Sequence, residues 1–269
     1  MNLYKNHVRS YDNRDIHLGM ISVPNHPVEY QTPVNTIRKL YQNGWPACGA
    51  HAGATLKAIQ EQKDVQLTDG CSPRCLWRFI KDIDGYAPEV GTDMRSIFKA
   101  LSTRGICLYS TMPNPDSMTN LYAYTNPTIT SEVSDEANTM IINGYGFLPK
   151  GFSLEDLKDA IYKNAAVILL INCDDGFFGT NYPTFTTRPY GHFVVATGYD
   201  SQRVVILDST EIDEKFSVKY IYNQYFPFIR EAGTAIDEST EKIRTMIKQK
   251  NILTKMVELY KQVIALLKK

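Results

Sequence analysis

Residues 42–63 read QNGWPACGAHAGATLKAIQEQK, and this stretch decides the predicted fold. From Cys48 onward the segment is rich in alanine and free of proline, whereas Gly44, Trp45 and Pro46 just upstream are typical of a loop that ends where a helix begins. Cys48 is therefore predicted in the first helical turn, where free backbone N–H groups and the helix dipole stabilise a thiolate. The alternative is a buried, inert thiol, which is what most free cysteines are.

A second segment, residues 192–208, pairs a histidine with an aspartate. It reads HFVVATGYDSQRVVILD, two β-branched apolar runs joined by a polar turn, and this pattern predicts an antiparallel hairpin. His192 begins the first strand and Asp208 ends the second, so the two side chains are expected side by side. The carboxylate can then hold one imidazole nitrogen while the other faces a thiol. Among the five histidines, His192 is the best candidate for a catalytic base.

The spacing of four residues resembles that of the papain-like cysteine peptidases. In that family a Gln stands six residues before the nucleophilic Cys, which starts the central helix, and a His that begins a strand is followed sixteen residues later by an Asn. Gln42, Cys48, His192 and Asp208 stand at those spacings here. The text QNGWPACGAHAGA is most similar to the bacterial and viral branch, and the resemblance covers roughly residues 10–230.

The resemblance implies a fold class and a location for the site. The expected fold is α+β, a papain-like two-lobe fold with a helical lobe beside an antiparallel β lobe and an additional C-terminal helix. The site is expected at the seam between the lobes, where clefts commonly form.

Three positions depart from the family pattern. Trp45 replaces a cysteine that normally forms a disulfide, and Asp208 replaces the usual Asn. The aspartate keeps the hydrogen-bond acceptor for the imidazole and adds a negative charge that favours imidazolium. Thr210 stands where a tryptophan normally covers the contact between His192 and residue 208. Loss of that apolar cover predicts a wetter hydrogen bond.

The resemblance also implies a role for each site residue. Cys48 attacks a peptide carbonyl as thiolate, His192 holds the proton and returns it to the leaving amine, and Asp208 orients the ring. The side-chain amide of Gln42 and the backbone N–H of Cys48 are expected to hold the oxyanion. Without its spacing to Cys48, Gln42 would be interpreted as a solvated surface amide, and its loss is expected to leave folding nearly unchanged.

Gly91 is the implied substrate-binding residue. Family members bind an extended substrate along a glycine-containing segment of the helical lobe, and residues 89–92, EVGT, occupy that place. A glycine lets another chain approach its backbone closely. The alternative is that Gly91 is only a turn residue.

Three functions are compatible with these residues. The first is a cysteine endopeptidase that hydrolyses a peptide or protein substrate through an acyl-enzyme intermediate and needs no cofactor. The second is a catalytically silent papain-fold module with a structural or binding role. The third is a cysteine amidase that acts on cell-wall peptides, with the same Cys48 and His192 directed at a different amide.

His51 and the Cys71/Cys75 pair are the candidates for metal ligands in this sequence. His51 lies three residues after Cys48 and is interpreted as a packed, hydrogen-bonded core histidine. Cys71 and Cys75 are interpreted as ordinary thiols, because a structural zinc site needs four ligands and the chain has no second such pair. No metal site is predicted.

Composition predicts an ordinary globular protein. The chain has 269 residues, of which 43% are hydrophobic and 22% charged, enough for a large core in one domain or two lobes. Its 29 basic and 29 acidic residues give no reason to expect nucleic acid or an anionic membrane as partner. No stretch predicts a signal peptide or a membrane span. Five cysteines without the family's disulfide spacing predict a reducing compartment, so a cytoplasmic or virion-associated protein is expected.

Four segments are predicted along the chain. Residues 1–35 form an N-terminal arm that contributes to the β lobe, 36–125 the helical lobe, 126–232 the β lobe with the catalytic hairpin, and 233–269 a C-terminal amphipathic helix. Besides the helix at Cys48, helices are predicted near 76–83, within 92–105 with Gly105 as C-terminal cap, and at 153–164. Strands are predicted at 164–173, 192–199 and 203–208.

The N-terminal arm is a candidate for control of the site. Secreted relatives carry a long inhibitory segment before the equivalent of Gln42, and about forty residues precede it here. We therefore hypothesise that the arm lies in the cleft.

The tail, residues 237–269, contains no glycine or proline and carries a heptad stripe of apolar side chains. The stripe consists of Ile243, Met246, Leu253, Val257, Tyr260, Ile264 and Leu267, with Lys250 as the one polar interruption. The pattern favours self-association as a coiled coil. The alternative is a helix packed on its own globule, for which a stripe of this width is normal.

Removal of residues 237–269 is expected to lower the oligomeric state, because the apolar stripe would then lose its partner copy. Sedimentation velocity of the full chain and of the shortened chain measures this. An unchanged number of copies per particle would contradict the coiled coil.

Overall fold

The predicted nucleophile helix runs through the middle of the fold. This computed structural model describes residues 18, 26–34, 37–64, 69–115, 120–185, 190–211, 217–236 and 260. Helix α1 spans Cys48–Asp64 and packs on helices on one side and on a β-sheet on the other. A side chain at Gly49 would meet Thr92 of the helical side and Phe193 of the sheet. The small residues at the start of α1 therefore let both lobes approach the site closely.

Two further helices build the helical lobe, as the sequence predicts. Helix α2 spans Pro73–Asp84 and helix α3 spans Met94–Thr103. Ser72 and Asp93 accept hydrogen bonds from first-turn backbone N–H groups and so cap the two N-termini. The predicted cap Gly105 follows α3 with φ 71°, a left-handed conformation that glycine adopts at low cost.

Two more helices occupy a stretch in which the sequence analysis did not predict them. Helix α4 spans Leu121–Thr125 and helix α5 spans Ser131–Thr139. The expectation that strands with a single helix follow residue 126 is wrong for this stretch. The local signal was weak, because α5 buries only Val133 and Ala137 and so shows no continuous apolar stripe.

The β lobe is one antiparallel sheet. Its strands are β1 Tyr30–Gln31, β2 Gly144–Phe147, β3 Val167–Cys173, β4 Tyr190–Tyr199, β5 Arg203–Leu207, β6 Val218–Tyr222 and β7 Ile229–Ile236. The strand order is β2-β7-β3-β4-β5-β6, and β1 pairs with β4. The predicted hairpin at residues 192–208 is the β4–β5 pair. The α+β architecture of a helical lobe beside an antiparallel sheet is therefore confirmed.

Helix α6, Leu154–Asn164, is the helix predicted at residues 153–164. Its N-terminus is a capping box, in which the Ser153 hydroxyl accepts from the Asp156 N–H at 3.1 Å and the Asp156 carboxylate accepts from the Ser153 N–H at 2.8 Å. Leu157 and Ile161 are buried in the core that α6 shares with the sheet. This packing supports β4, the strand that carries His192, and its neighbour β3.

The ends of the chain depart from the predicted segments or lie outside the described residues. Residues 233–236, assigned by the sequence analysis to the tail helix, instead complete β7 and pair with β2. Residues 238–269 form a separate unit, of which the structure describes Tyr260 alone, helical and exposed. The coiled coil and the placement of residues 1–17 in the cleft lie outside the described residues and stay predictions.

A helix that crosses a membrane must be about 20 residues long and predominantly apolar, and the described residues can be tested for such a helix. No helix in this part of the chain is both long enough and apolar enough to cross a bilayer.

Gly105→Ala is expected to destabilise the fold more than Gly151→Ala. Gly105 has φ 71°, and an added Cβ would overlap the Ala137 carbonyl oxygen, whereas Gly151 has φ 80° with no atom within 4 Å of an added Cβ. The second variant therefore measures the backbone cost alone, about 1 kcal/mol. Chemical denaturation should show a further loss of about 2 kcal/mol in Gly105→Ala. Equal losses would contradict the packing of α5 against the end of α3.

Candidate active site

A tight turn places Cys48 at the start of α1. Asn43 and Gly44 have φ values of 50° and 71°, and across this turn the Trp45 N–H donates to the Gln42 carbonyl at 3.1 Å. Cys48 is the first residue of α1, as predicted, and is fully buried. The Cys48 sulfur therefore lies on the first turn of α1. The backbone N–H groups of this turn have no helical partners and favour negative charge.

His192 connects Cys48 to Asp208. Its Nε2 lies 2.8 Å from Oδ1 of Asp208, and the ring is also hydrogen-bonded to the Cys48 side chain. Because Nε2 faces the carboxylate, Nδ1 is the nitrogen left for the sulfur. The two strands that carry this pair are antiparallel neighbours, so the start of β4 lies beside the end of β5. The hairpin geometry expected from the sequence is therefore present.

The surroundings of this pair favour its charged form. Burial opposes the charge on His192, but hydrogen bonds to Asp208 and Cys48, together with their negative charges, outweigh burial and raise the pKa of His192 to about 10. Burial also disfavours the Asp208 carboxylate, yet the hydrogen bond and charge of His192, with help from Lys219 and Thr210, lower the pKa of Asp208. An imidazolium held in this way favours a thiolate at Cys48.

The hydrogen bond between His192 and Asp208 is dry, contrary to the sequence expectation. Their side chains are only 3% and 0% exposed. The Phe177 ring packs edge-on against the imidazole, with centroids 5.4 Å apart. Thr210 donates to Asp208 from its backbone N–H at 3.1 Å and from its hydroxyl at 2.6 Å. The predicted wetter contact is wrong because the apolar cover comes from Phe177, in a different segment from the family's tryptophan.

Gln42 is a buried, fully oriented amide. Its Nε2 donates to the Trp45 carbonyl at 2.7 Å, and its Oε1 accepts from the Ser209 hydroxyl at 2.7 Å. The Gln42 backbone N–H also donates to the Ser209 carbonyl at 2.8 Å. The interpretation as a solvated surface amide is therefore wrong. Since a primary amide has two N–H groups, one is still available to an oxyanion beside Cys48.

Gly91 lies in a loop that packs against the start of α1. The loop is fastened by Lys81, whose ammonium donates to the carbonyls of Val90 at 2.9 Å and Gly91 at 2.8 Å. The next residue, Thr92, approaches Gly49, the neighbour of Cys48. The loop thus reaches the vicinity of the nucleophile, and the substrate-binding role of Gly91 stays a prediction.

His51 is the packed core histidine that the sequence analysis favoured. It is fully buried, and its Nδ1 donates to the Ala47 carbonyl at 2.9 Å. Burial lowers the pKa of His51 to about 4, against smaller opposing effects of backbone carbonyls. His51 is therefore neutral near neutral pH.

The cysteines other than Cys48 are structural. None of the five cysteines forms a disulfide, and all five are buried. Burial raises the pKa of Cys71 and of Cys173, and hydrogen bonding to Cys75 together with burial raises that of Cys107. Within the described ranges, no three His, Cys, Asp or Glu side chains are grouped so that they could hold a metal ion.

Sequence reasoning missed three residues around the site, namely Phe177, Ser209 and Lys219. Lys219 is fully buried, and its Nζ lies 3.6 Å from Oδ2 of Asp208. The alternating burial of β6 places Lys219 on the same face as Ile221. The residues of β6 read VKYIY, and this order of residue types gives no local signal that Lys219 is the buried position. Nothing local identified its partners.

Gln42→Ala is expected to lower the free energy of unfolding by about 1–3 kcal/mol, because it leaves the buried Ser209 hydroxyl and Trp45 carbonyl without their partners. This replaces the sequence expectation of nearly unchanged folding. Denaturant unfolding measures the loss, with the exposed Gln202→Ala as control, which should change stability by less than about 0.5 kcal/mol. Equal stability of the two variants would contradict the buried network.

The fold was compared with solved structures. It is similar to xylellain, a cysteine protease from Xylella fastidiosa, with a TM-score of 0.74 and 16% identity over 88% of this chain and 96% of that one. It is similar to digestive procathepsin L 3 from the larval midgut of Tenebrio molitor, with a TM-score of 0.64 and 16% identity over 82% of this chain and 74% of that one. It is also similar to the bromelain protease from Ananas comosus in complex with the E64 inhibitor, with a TM-score of 0.61 and 14% identity over 79% of this chain and 100% of that one.

Comparison by sequence alone identifies no such relatives. Comparison with protein-family profiles and with curated proteins returns no match. The likeness is therefore one of structure at low sequence identity. The structural neighbours are papain-like cysteine proteases, and the chain has the papain-like α+β fold that its residue spacing implied.

Proposed function

We propose that this protein is a cysteine peptidase that hydrolyses peptide bonds through an acyl-enzyme intermediate. The observation that carries the proposal is the hydrogen-bonded series Cys48, His192 and Asp208 at the N-terminus of α1. The series combines a nucleophile, a base with raised pKa and an orienting carboxylate, which are the parts that nucleophilic acyl transfer requires. The papain-like fold of the chain supports the same reading.

The proposed reaction starts from the Cys48 thiolate and the His192 imidazolium. The sulfur attacks the carbonyl carbon of the scissile peptide, and the resulting oxyanion accepts hydrogen bonds from the Gln42 amide and the Cys48 N–H. His192 then gives its proton to the leaving amine as the C–N bond breaks. A water molecule, deprotonated by His192, attacks the thioester; the C–S bond breaks, the carboxylic acid leaves, and the Cys48 thiolate and the His192 imidazolium are restored. Asp208 holds the ring in place throughout.

One observation favours a second candidate, the catalytically silent module. Cys48 and Gln42 have no solvent-exposed surface in this structure. A substrate carbonyl can reach the sulfur only if the groups that cover it move aside. A scaffold protein would have no need of such movement, so reactivity of the Cys48 sulfur in solution separates the two functions.

Alkylation of Cys48 by iodoacetamide is expected to proceed well below pH 8, because the His192 imidazolium stabilises the thiolate. His192→Ala should move the midpoint of the rate profile up to about 8.5, the value of an ordinary thiol. Mass spectrometry locates the modified cysteine, and Cys48→Ala gives the background from the other four thiols. A wild-type profile with an ordinary midpoint, or none at all, would favour the silent module.

Hydrolysis of an unfolded protein substrate is expected at neutral pH and should fall as the pH rises through about 10, where His192 loses the proton that the leaving amine needs. Below that value the imidazolium is intact, so the alkaline limb belongs to His192. Turnover is measured against Cys48→Ala, which should be inactive, and the E64 inhibitor should block the wild-type protein. Cleavage of cell-wall peptides with no cleavage of unfolded protein would instead identify an amidase.

A further inference from the structure

A buried lysine stands behind the Asp208 carboxylate. The Lys219 side chain, on β6, is fully buried. Its ammonium donates to the Phe177 carbonyl at 2.8 Å, to the Thr180 carbonyl at 3.0 Å and to the Glu211 carboxylate at 2.7 Å. These three hydrogen bonds use all the donors of the ammonium group. An ammonium taken out of water is costly unless it is paired in this way, so the position is a built one.

Lys219 acts on Asp208 through its charge. Its Nζ lies 3.6 Å from Oδ2 of Asp208, longer than its three hydrogen bonds. The same carboxylate oxygen accepts the Thr210 hydroxyl at 2.6 Å. At such a distance in a buried place, an opposite charge strongly favours the ionised carboxylate. Charges therefore alternate along the line of Cys48, His192, Asp208, Lys219 and Glu211.

Lys219 also fixes the apolar cover of the imidazole. Besides its bond to the Phe177 carbonyl, its Nζ lies 4.7 Å from the centroid of the Phe177 ring, within range of a cation–π contact. That ring is the one that packs edge-on against His192. The segment from Phe177 to Thr180 is thus held at both ends by one ammonium group.

We propose that Lys219 is a positioning residue for the Cys48–His192 pair, which keeps Asp208 ionised and in place and holds Phe177 over the imidazole. In the papain-like family a tryptophan at the position of Thr210 covers the contact of the imidazole with residue 208. Here Lys219 and Phe177 together provide that cover. The inference rests on the proposed function, since it concerns the ion pair of the same site. It assigns a role to a residue that touches no substrate.

Other ionisable groups face the same space and set the background for any titration. They come from four elements packed around Asp208: Cys48 and His51 of α1, His192 of β4, Cys173 and Asp174 at the end of β3, and Glu211 after β5. Each of these groups is present in every Lys219 variant. Comparison of Lys219→Met with Lys219→Arg, which keeps the charge, separates the effect of that charge from rearrangement of Phe177, Thr180 and Glu211.

The test is the pH dependence of Cys48 alkylation by iodoacetamide in the full chain. Lys219→Met removes the charge and Lys219→Arg keeps it. Glu211→Gln removes the negative partner and leaves more of the lysine charge to act on Asp208. Lys57→Met is the matched control, because Lys57 is an equally buried lysine of α1, paired with Glu61. Denaturant unfolding of each variant records the loss of stability separately.

Loss of the positive charge is expected to make the thiolate harder to form and Asp208 easier to protonate. The acid limb of the alkylation profile should therefore move up by about one pH unit in Lys219→Met, a tenfold slower reaction on that limb. Lys219→Arg should restore the wild-type limb. Glu211→Gln should move the limb down. Lys57→Met should lose stability with the limb unmoved, since a merely structural role does not change the pH profile.

An acid limb in Lys219→Met at the same pH as in Lys57→Met would overturn the inference. If Lys219→Met does not fold, Glu211→Gln decides, because a limb that stays in place or moves up there would also overturn it. Alkylation reports the ion pair whether or not peptide is cleaved. If the wild-type protein shows an acid limb at low pH that depends on Lys219 and yet hydrolyses no peptide, that result would contradict the proposed function alone. An ordinary wild-type thiol profile would sink both.

Discussion

The site depends on one physical constraint, a charged imidazole kept away from water. Burial by itself would strip His192 of its proton, and the pKa of His192 is nevertheless raised to about 10. Hydrogen bonds to Asp208 and Cys48, together with their negative charges, reverse the effect of burial. A carboxylate that serves this purpose must in turn stay ionised while buried. The hydrogen bond and charge of His192 lower the pKa of Asp208 against burial, and the Lys219 cation and the two donors of Thr210 add to that effect. The charged form of each group at the seam between the lobes is thus stabilised by the opposite charge of its neighbour.

The backbone brings these charges together by close packing of small residues. The first turns of α1 contain Gly49 and Gly53, and a Cβ on either would run into side chains of the neighbouring elements. The helix can therefore lie against α3 and β4 at once, with its N-terminus at the start of β4. Antiparallel pairing of β4 and β5 then sets the carboxylate beside the imidazole. The geometry of the site is a consequence of packing density as much as of its polar residues.

Gln42 is connected to Asp208 by the residue that follows the aspartate in the chain. Ser209 follows Asp208 and binds Gln42 through both its hydroxyl and its carbonyl. Movement of the aspartate would therefore also displace the Gln42 amide. On the far side, Lys219 connects the same aspartate to Phe177. The site is held as one buried network, in which the loss of a single partner leaves another polar group unsatisfied.

The sequence by itself determined the parts of this structure that have a local period or a fixed spacing. An alanine-rich stretch after a loop that contains glycine and proline predicted α1. Two β-branched apolar runs joined by a short turn predicted the β4–β5 hairpin. The intervals between Gln42, Cys48, His192 and Asp208 predicted the candidate site. Helix α5 was not predicted because two buried residues make no stripe, and the predicted start of the tail helix at 233 falls inside β7, which runs to Ile236.

Only the tertiary structure decided how the four residues are supported. Gln42 binds Ser209 across 167 positions of the chain and Lys219 binds Phe177 across 42, and no local pattern connects such partners. The burial of Lys219 on β6 is likewise seen only in the structure, since the residues VKYIY do not indicate which face is buried. The same holds for the dry contact of His192 and Asp208, because apolar cover can come from any segment that folding brings near. Hydrogen bonds between distant segments, and the burial of their side chains, depend on tertiary packing. No single stretch of the sequence determines that packing.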